Sequence, residues 1–68
     1  MPDQNEWETR AANLLKAELK RKGVTYAQLS ELIGEKEVNI RNKLSRGKFS
    51  AAFLIQSLSA IGETDIRI

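Results

Sequence analysis

The 68-residue sequence contains no cysteine and no histidine. Without cysteine, no disulfide can stabilise a chain that, at this length, buries only a modest fraction of its surface. Without cysteine or histidine, a zinc site would have only carboxylate ligands, which zinc rarely accepts. We therefore expect a fold that is stabilised by the packing of helices, and we expect no metal or other cofactor.

Long hydrophobic runs are also absent, since the longest uninterrupted apolar segment is AAFLI at residues 51–55. A membrane span needs about 20 apolar residues, and a signal peptide combines a basic start with an apolar stretch. The chain begins instead with the acidic segment MPDQNEWE. We expect a single cytoplasmic domain, residues 1–68, with no membrane partner.

The composition also removes most catalytic chemistry. Histidine and cysteine are the commonest general bases and nucleophiles, and the remaining polar residues have no recognisable catalytic spacing. The four glycines, at positions 23, 34, 47 and 62, each follow a predicted helix and form no phosphate-binding loop. We expect neither an enzymatic activity nor a small-molecule substrate.

Hydrophobic periodicity predicts four helices, over residues 6–22, 25–33, 37–46 and 50–61, and therefore a compact all-α bundle. Each helix carries apolar side chains at spacings of three and four residues, which places them on one face. Trp7 is expected in the core or at its edge. The other side chains expected on the apolar faces are Ala11, Leu14, Leu15, Leu19, Leu29, Leu32, Ile33, Ile40, Leu44, Phe53, Leu54, Ile55, Leu58 and Ile61.

Capping residues mark where two of these helices begin. Asn5 with Glu8, and Thr25 with Gln28, have the spacing of a capping box, in which the two residues bond each other's backbone N–H groups. After the fourth helix, the alternation of apolar and charged residues in the tail, residues 63–68, predicts a short extended segment.

The third predicted helix has an unusual outer face. Ile40 and Leu44 are its only clear core residues, and the opposite face carries two amides, a hydroxyl, a valine and an arginine. Asparagine is intrinsically unfavourable within a helix, so a surface without a further constraint would favour Lys, Glu or Gln. In the DNA major groove, Asn pairs with adenine, Arg pairs with guanine, and apolar side chains contact the thymine methyl. We therefore predict that base edges are read by Val38, Asn39, Asn42 and Arg46.

Positive charge is concentrated around this helix. Residues 36–48 contain five Lys or Arg residues and one Glu, whereas residues 1–9 contain three acidic residues and no basic one. The asymmetry indicates an anionic partner for one surface, although such a charge run is also typical of an ordinary solvated face. For DNA, the predicted phosphate contacts are Tyr26, Lys36, Arg41, Lys43, Lys48 and Ser50, the last being the expected N-cap of the fourth helix.

The segment GVTYAQLSELIGEKEVNIRNKLSRG, residues 23–47, resembles the helix-turn-helix of phage-repressor domains of the Cro/XRE, or lambda-repressor-like, type. The residues in the positions of that motif are Leu29, Ser30, Ile33, Gly34 and Ile40. The resemblance implies a four-helix fold that binds double-stranded DNA and acts as a homodimer on two half-sites.

Three positions depart from the phage-repressor pattern. Glu35 and Lys43 stand where the motif is usually apolar, and Tyr26 stands where such repressors often have a phosphate-binding glutamine. Residues 10–62 as a whole also resemble an uncharacterised bacterial family of small domains that contains the segment NKLSRGKFSAAF. That second resemblance implies no function.

Together these patterns predict a sequence-specific DNA-binding domain, in a small bacterial transcriptional regulator or an antitoxin-like protein. The alternative is a protein-interaction or dimerisation module that uses the same scaffold without binding DNA, because a fold does not determine a function.

Overall fold

A computed structural model of the chain describes residues 4–63, which form four α-helices. The helices are α1 (Gln4–Lys22), α2 (Tyr26–Ile33), α3 (Glu37–Arg46) and α4 (Ala51–Ala60). No strand occurs in the described range, which confirms the predicted all-α class. The helix bounds differ from the predicted ranges by at most two residues. The predicted extended tail comprises residues 63–68, of which residues 64–68 lie outside the described residues.

The N-terminal caps of α2 and α4 are present as predicted. Thr25 Oγ1 accepts a hydrogen bond from the Gln28 N–H at 3.1 Å, and Gln28 Oε1 accepts one from the Thr25 N–H at 2.8 Å. Ser50 Oγ accepts a hydrogen bond from the Phe53 N–H at 3.0 Å. These bonds satisfy backbone donors that the first helical turn leaves without a partner.

The predicted capping box of Asn5 and Glu8 is wrong. The first helix already includes Gln4, so Asn5 lies within it and is not its N-cap. The Glu8 carboxylate is instead close to the ammonium group of Lys48, far along the chain. The capping-box spacing is present in the sequence, but Glu8 forms an ion pair with Lys48 instead of a cap.

The core lies where α1 and α2 pack against α3 and α4. Each of α3 and α4 contacts both of the first two helices, so the buried side chains form one continuous cluster. Half-buried side chains, among them the predicted Leu14, Ile33, Leu54 and Ile61, pack around that cluster. Its members are Leu15, Leu19, Leu29, Ile40, Leu44, Phe53 and Leu58, all of which were predicted to be buried.

Three apolar residues expected on buried faces are exposed instead. Trp7, Leu32 and Ile55 each expose more than half of their surface. For Trp7 the cause is geometric, because the buried residues of α1 centre on Ala12, Leu15 and Leu19. With about 100° of rotation per residue, Trp7 points about 110° away from their mean direction.

In the described part of the chain, no helix has both the length and the hydrophobicity that a bilayer span requires.

Ser57 is a buried polar residue that the sequence analysis missed. It lies on the inner side of α4, four residues after Phe53, and is completely inaccessible to solvent. Among residues 4–63, its Oγ has no hydrogen-bond partner. Hydrophobic periodicity passes over such a position because a serine is not counted as apolar, although its place on the helix faces the core.

Gly47, which ends α3, is in close contact with the first helix. Its φ is +70°, in the left-handed region that favours glycine. A Cβ at this position would lie 2.6 Å from the backbone oxygen of Glu8 and 2.8 Å from its carbonyl carbon. Gly34 ends α2 with φ +72°, but in the described structure a Cβ there would have no atom within 4 Å beyond its own residue and its two chain neighbours. Only at Gly47 does the fold need both the conformation and the absent side chain.

Replacing Gly47 by Ala should therefore destabilise the domain much more than replacing Gly34 by Ala. In both variants, the left-handed conformation of an alanine lowers the free energy of unfolding by roughly 1 kcal/mol. Gly47→Ala also forces the backbone of Glu8 to move, so we expect a total loss of about 3 kcal/mol or more. Denaturant unfolding of the two variants measures the difference, and equal losses would contradict the close approach of α1 to Gly47.

Candidate nucleic-acid interface

A tight corner joins α2 to α3. The N–H of Gly34 donates to the carbonyl oxygen of Ser30 at 2.9 Å, which closes α2. The hydroxyl of Ser30 donates to the backbone carbonyl of Glu35, which ties the turn back to α2. Beyond the turn, Ile40 is fully buried in the same cluster as Leu29. These contacts fix the inner side of α3 and therefore determine which side of that helix faces solvent.

The solvent-facing side of α3 carries the four predicted base-reading residues. Val38, Asn39, Asn42 and Arg46 are all exposed, and we call them the outer face of α3. Among residues 4–63, no hydrogen bond or ion pair engages the side chains of Asn39, Asn42 or Arg46. The polar groups of this face are therefore available to a partner without the disruption of an internal contact.

Arg41 lies on one flank of the outer face, between Glu37 and Tyr26. Its Nη2 is 2.8 Å from Glu37 Oε2, one helical turn earlier, and its guanidinium carbon is 5.7 Å from the centre of the Tyr26 ring. The fold thus places two predicted phosphate contacts, Tyr26 and Arg41, side by side. Lys36, the N-cap residue of α3, is exposed, and within the part of the chain that the structure describes it forms no ion pair.

Lys43 and Glu35, two of the positions that depart from the phage-repressor pattern, contact each other. Lys43 Nζ is 2.8 Å from Glu35 Oε2 and 4.5 Å from the centre of the Phe53 ring. The ion pair connects the α2–α3 turn to the third helix, and the ammonium group covers an aromatic ring of the fourth. Two charged residues in usually apolar places are therefore compatible with one another because they neutralise each other.

Lys48 lies in the loop between α3 and α4. Its Nζ is 3.1 and 3.2 Å from the two carboxylate oxygens of Glu8. Ser50 follows two residues later and is exposed, as are the next two residues in the first turn of α4. Lys48 and the positive N-terminal end of α4 are therefore neighbours at the surface.

A half-exposed aromatic residue lies beside this loop. Trp7 is 51% exposed, and the guanidinium carbon of Arg10 is 4.9 Å from the centre of its ring. A shallow groove of about 200 Å³ begins at Trp7 and runs to the α3–α4 loop. The other residues that line this groove are Glu8, Ala11, Gly47, Lys48 and Phe49.

A separate ion-pair cluster lies near the other end of α1. Arg21 Nη2 is 2.6 Å from Glu18 Oε1, and the same guanidinium also pairs with Glu63, just after α4. The hydrogen bond to Glu18 raises the pKa of Arg21 above its ordinary value. At 1.5 Å of rise per residue, Arg21 is about 20 Å along α1 from Glu8.

Residues 7–66 match a family model described as Domain of unknown function (DUF6471). The chain belongs to the DUF6471 family. No curated protein and no solved structure matches the chain significantly. The predicted resemblance to a family of small uncharacterised domains is thereby confirmed, while the resemblance to phage-repressor domains stays a prediction.

In this DUF6471 domain, seven of the ten predicted site residues fall into two groups. The four on the outer face of α3 are exposed and lack partners among the described residues, whereas Arg41, Lys43 and Lys48 are each paired with a carboxylate. None of these three carboxylates, Glu8, Glu35 and Glu37, was predicted as a partner from the sequence. A spacing of four residues indicates the pair of Arg41 with Glu37, but no local pattern indicates a pair of residues 40 positions apart.

Proposed function

We propose that this DUF6471 domain binds double-stranded DNA in a sequence-specific manner, as a lambda-repressor-like helix-turn-helix formed by α2 and α3. The protein would be a small bacterial transcriptional regulator or an antitoxin-like protein. The observation that carries the proposal is the outer face of α3. It combines exposure, short polar side chains and the lack of internal partners, opposite the fully buried Ile40.

The chemistry of the outer face matches base edges in the major groove. The amides of Asn39 and Asn42 can each pair with adenine N6 and N7, and Arg46 can pair with guanine O6 and N7. The methyl groups of Val38 suit the thymine methyl. A ten-residue helix is about 15 Å long, so it spans about four base-pair steps of 3.4 Å. Four side chains on such a helix are a plausible reading set for one half-site.

The predicted phosphate contacts surround this face and would fix its register on the duplex without reading sequence. The ion pair of Arg41 with Glu37 is largely exposed, and such pairs contribute only about 0–1 kcal/mol, so a phosphate can replace the carboxylate at little cost. Lys43 is more enclosed by Glu35 and Phe53, and we expect it to contribute least. The full set is Tyr26, Lys36, Arg41, Lys43, Lys48 and Ser50.

The α2–α3 corner supports the helix-turn-helix assignment. Gly34 adopts the left-handed conformation that a tight turn needs, Ser30 bonds the turn, and Ile40 fills the angle between the helices. The contact of Lys43 with Glu35 accounts for two of the three departures together. As in related repressor-type domains, we expect a homodimer that reads two half-sites about one DNA turn apart.

A protein-interaction module without DNA binding is the second candidate. Two observations favour it: three of the four cations predicted at phosphates are already paired with carboxylates, and Trp7 is half exposed beneath Arg10. Trp and Arg are enriched among the residues that dominate the energy of protein interfaces. Under this alternative, the domain would have no measurable affinity for duplex DNA and therefore no salt-dependent binding.

A selection from random duplex oligonucleotides at about physiological salt tests the proposal. The affinity of the domain for the selected duplexes is then measured as a function of salt concentration. We expect an enriched motif and an affinity that falls with a log–log slope of about −0.9 per phosphate contacted. Salt-dependent binding without an enriched motif would contradict sequence specificity. The absence of both a motif and a salt dependence would contradict DNA binding and favour the interaction module.

Replacing Asn42 by Ala should cost about 1–3 kcal/mol on the selected site and relax the preference at one base. Asn13→Ala is the matched control, because Asn13 is also an exposed asparagine within a helix but lies on α1. Fluorescence anisotropy on the selected duplex and on a scrambled duplex measures both variants. Equal losses for Asn42→Ala on the two duplexes would contradict a base-reading role.

A further inference from the structure

An ion pair joins the start of α1 to the loop after α3, beside the proposed DNA-binding surface. Both carboxylate oxygens of Glu8 are within 3.2 Å of Lys48 Nζ. From this geometry we infer that Glu8 limits the affinity of the domain for DNA, because its carboxylate competes with phosphate for Lys48. The inference rests on the proposed function and names a residue that sets its strength.

Glu8 differs from the other two carboxylates near the proposed surface in its burial. Its side chain is 16% exposed, compared with 30% for Glu35 and 42% for Glu37. A carboxylate that is largely removed from water and then loses its cation pays a substantial desolvation penalty. Glu37 can return to water when a phosphate takes its arginine, but Glu8 cannot do so as easily.

The position of Glu8 is also fixed by backbone packing. A Cβ on Gly47 would lie 2.6 Å from the backbone oxygen of Glu8, so the backbone at Gly47 packs directly against the first helix at Glu8. Lys48 follows Gly47 directly and is 64% exposed, so its ammonium group meets both Glu8 and solvent. The carboxylate therefore stays close to any phosphate that Lys48 contacts.

This arrangement lowers the contribution of Lys48 to DNA binding in two ways. A phosphate contact by Lys48 weakens its pair with Glu8, and the Glu8 carboxylate repels a phosphate that lies within the Debye length of about 8–10 Å. Phosphate contacts carry no sequence information. Glu8 should thus weaken binding to the selected duplex and to any other duplex by the same factor, and leave base preference unchanged.

The test compares Glu8→Gln with Glu18→Gln, which removes the same charge from the ion pair with Arg21 further along α1. Glu8→Gln should bind both the selected and the scrambled duplex about three- to tenfold more tightly near 0.1 M salt, with a log–log slope that is steeper by up to about 0.9, the value for one phosphate contact. Glu18→Gln should change affinity by less than about twofold, because it lies outside the proposed surface. Circular dichroism confirms that each variant is folded, and Glu8→Ala should reproduce the gain of Glu8→Gln.

A double-mutant cycle with Lys48→Ala tests whether Lys48 is the source of this gain in affinity. Most of the gain from Glu8→Gln should disappear when Lys48 is also replaced by Ala, since the released ammonium group is its main source and only the weaker repulsion of phosphate by Glu8 remains. A gain that survives this second substitution undiminished, or equal gains for Glu8→Gln and Glu18→Gln, would overturn the inference while the unsubstituted protein still binds its selected duplex. If the unsubstituted protein binds no duplex at all, the proposed function fails first, and the inference fails with it.

Discussion

The burial of Ile40 and Leu44 is the constraint on which the rest of this domain depends. These two side chains fix α3 in rotation against α1 and α2, and the turn at Gly34 sets where that helix begins. Every property of the outer face follows from that orientation. Had α3 turned by half a revolution, Asn39 and Asn42 would lie in the core as unpaired amides, at a cost of several kcal/mol, roughly 1–3 for each.

The charged side chains of the domain are subject to two opposing requirements, stability and the binding of an anionic partner. A chain of this size gains stability from linking distant segments, and the pairs of Lys48 with Glu8 and of Arg21 with Glu63 both link segments about 40 residues apart. Binding to an anionic polymer requires cations that are not neutralised. Three paired cations, Arg41, Lys43 and Lys48, lie around α3, whereas Asn39, Asn42 and Arg46 on its outer face have no internal partner among the described residues. Such a division favours recognition by base contacts over strong attraction to any nucleic acid.

Local patterns predicted the parts of the fold that local physics decides. The capping box of Thr25, the cap of Ser50 and the buried positions of α3 each depend on residues within one or two turns, and the sequence contains that information. The errors have long-range causes. Trp7 is exposed because it points away from the side of α1 that packs on the other described helices, and Glu8 pairs with a residue of the α3–α4 loop. The local spacing of residues shows neither which face of a helix another helix will cover nor which residues distant in sequence will pair.

The central claim is that the outer face of α3 is the surface that meets DNA. The most direct test is an NMR titration of the isotopically labelled domain with duplex DNA, with the backbone amide resonances of the whole chain followed together. The account predicts that the largest chemical-shift changes occur at Val38, Asn39, Asn42 and Arg46, with smaller changes at the flanking cations. Changes centred instead on Trp7 and Arg10, or no changes with DNA at all, would contradict it.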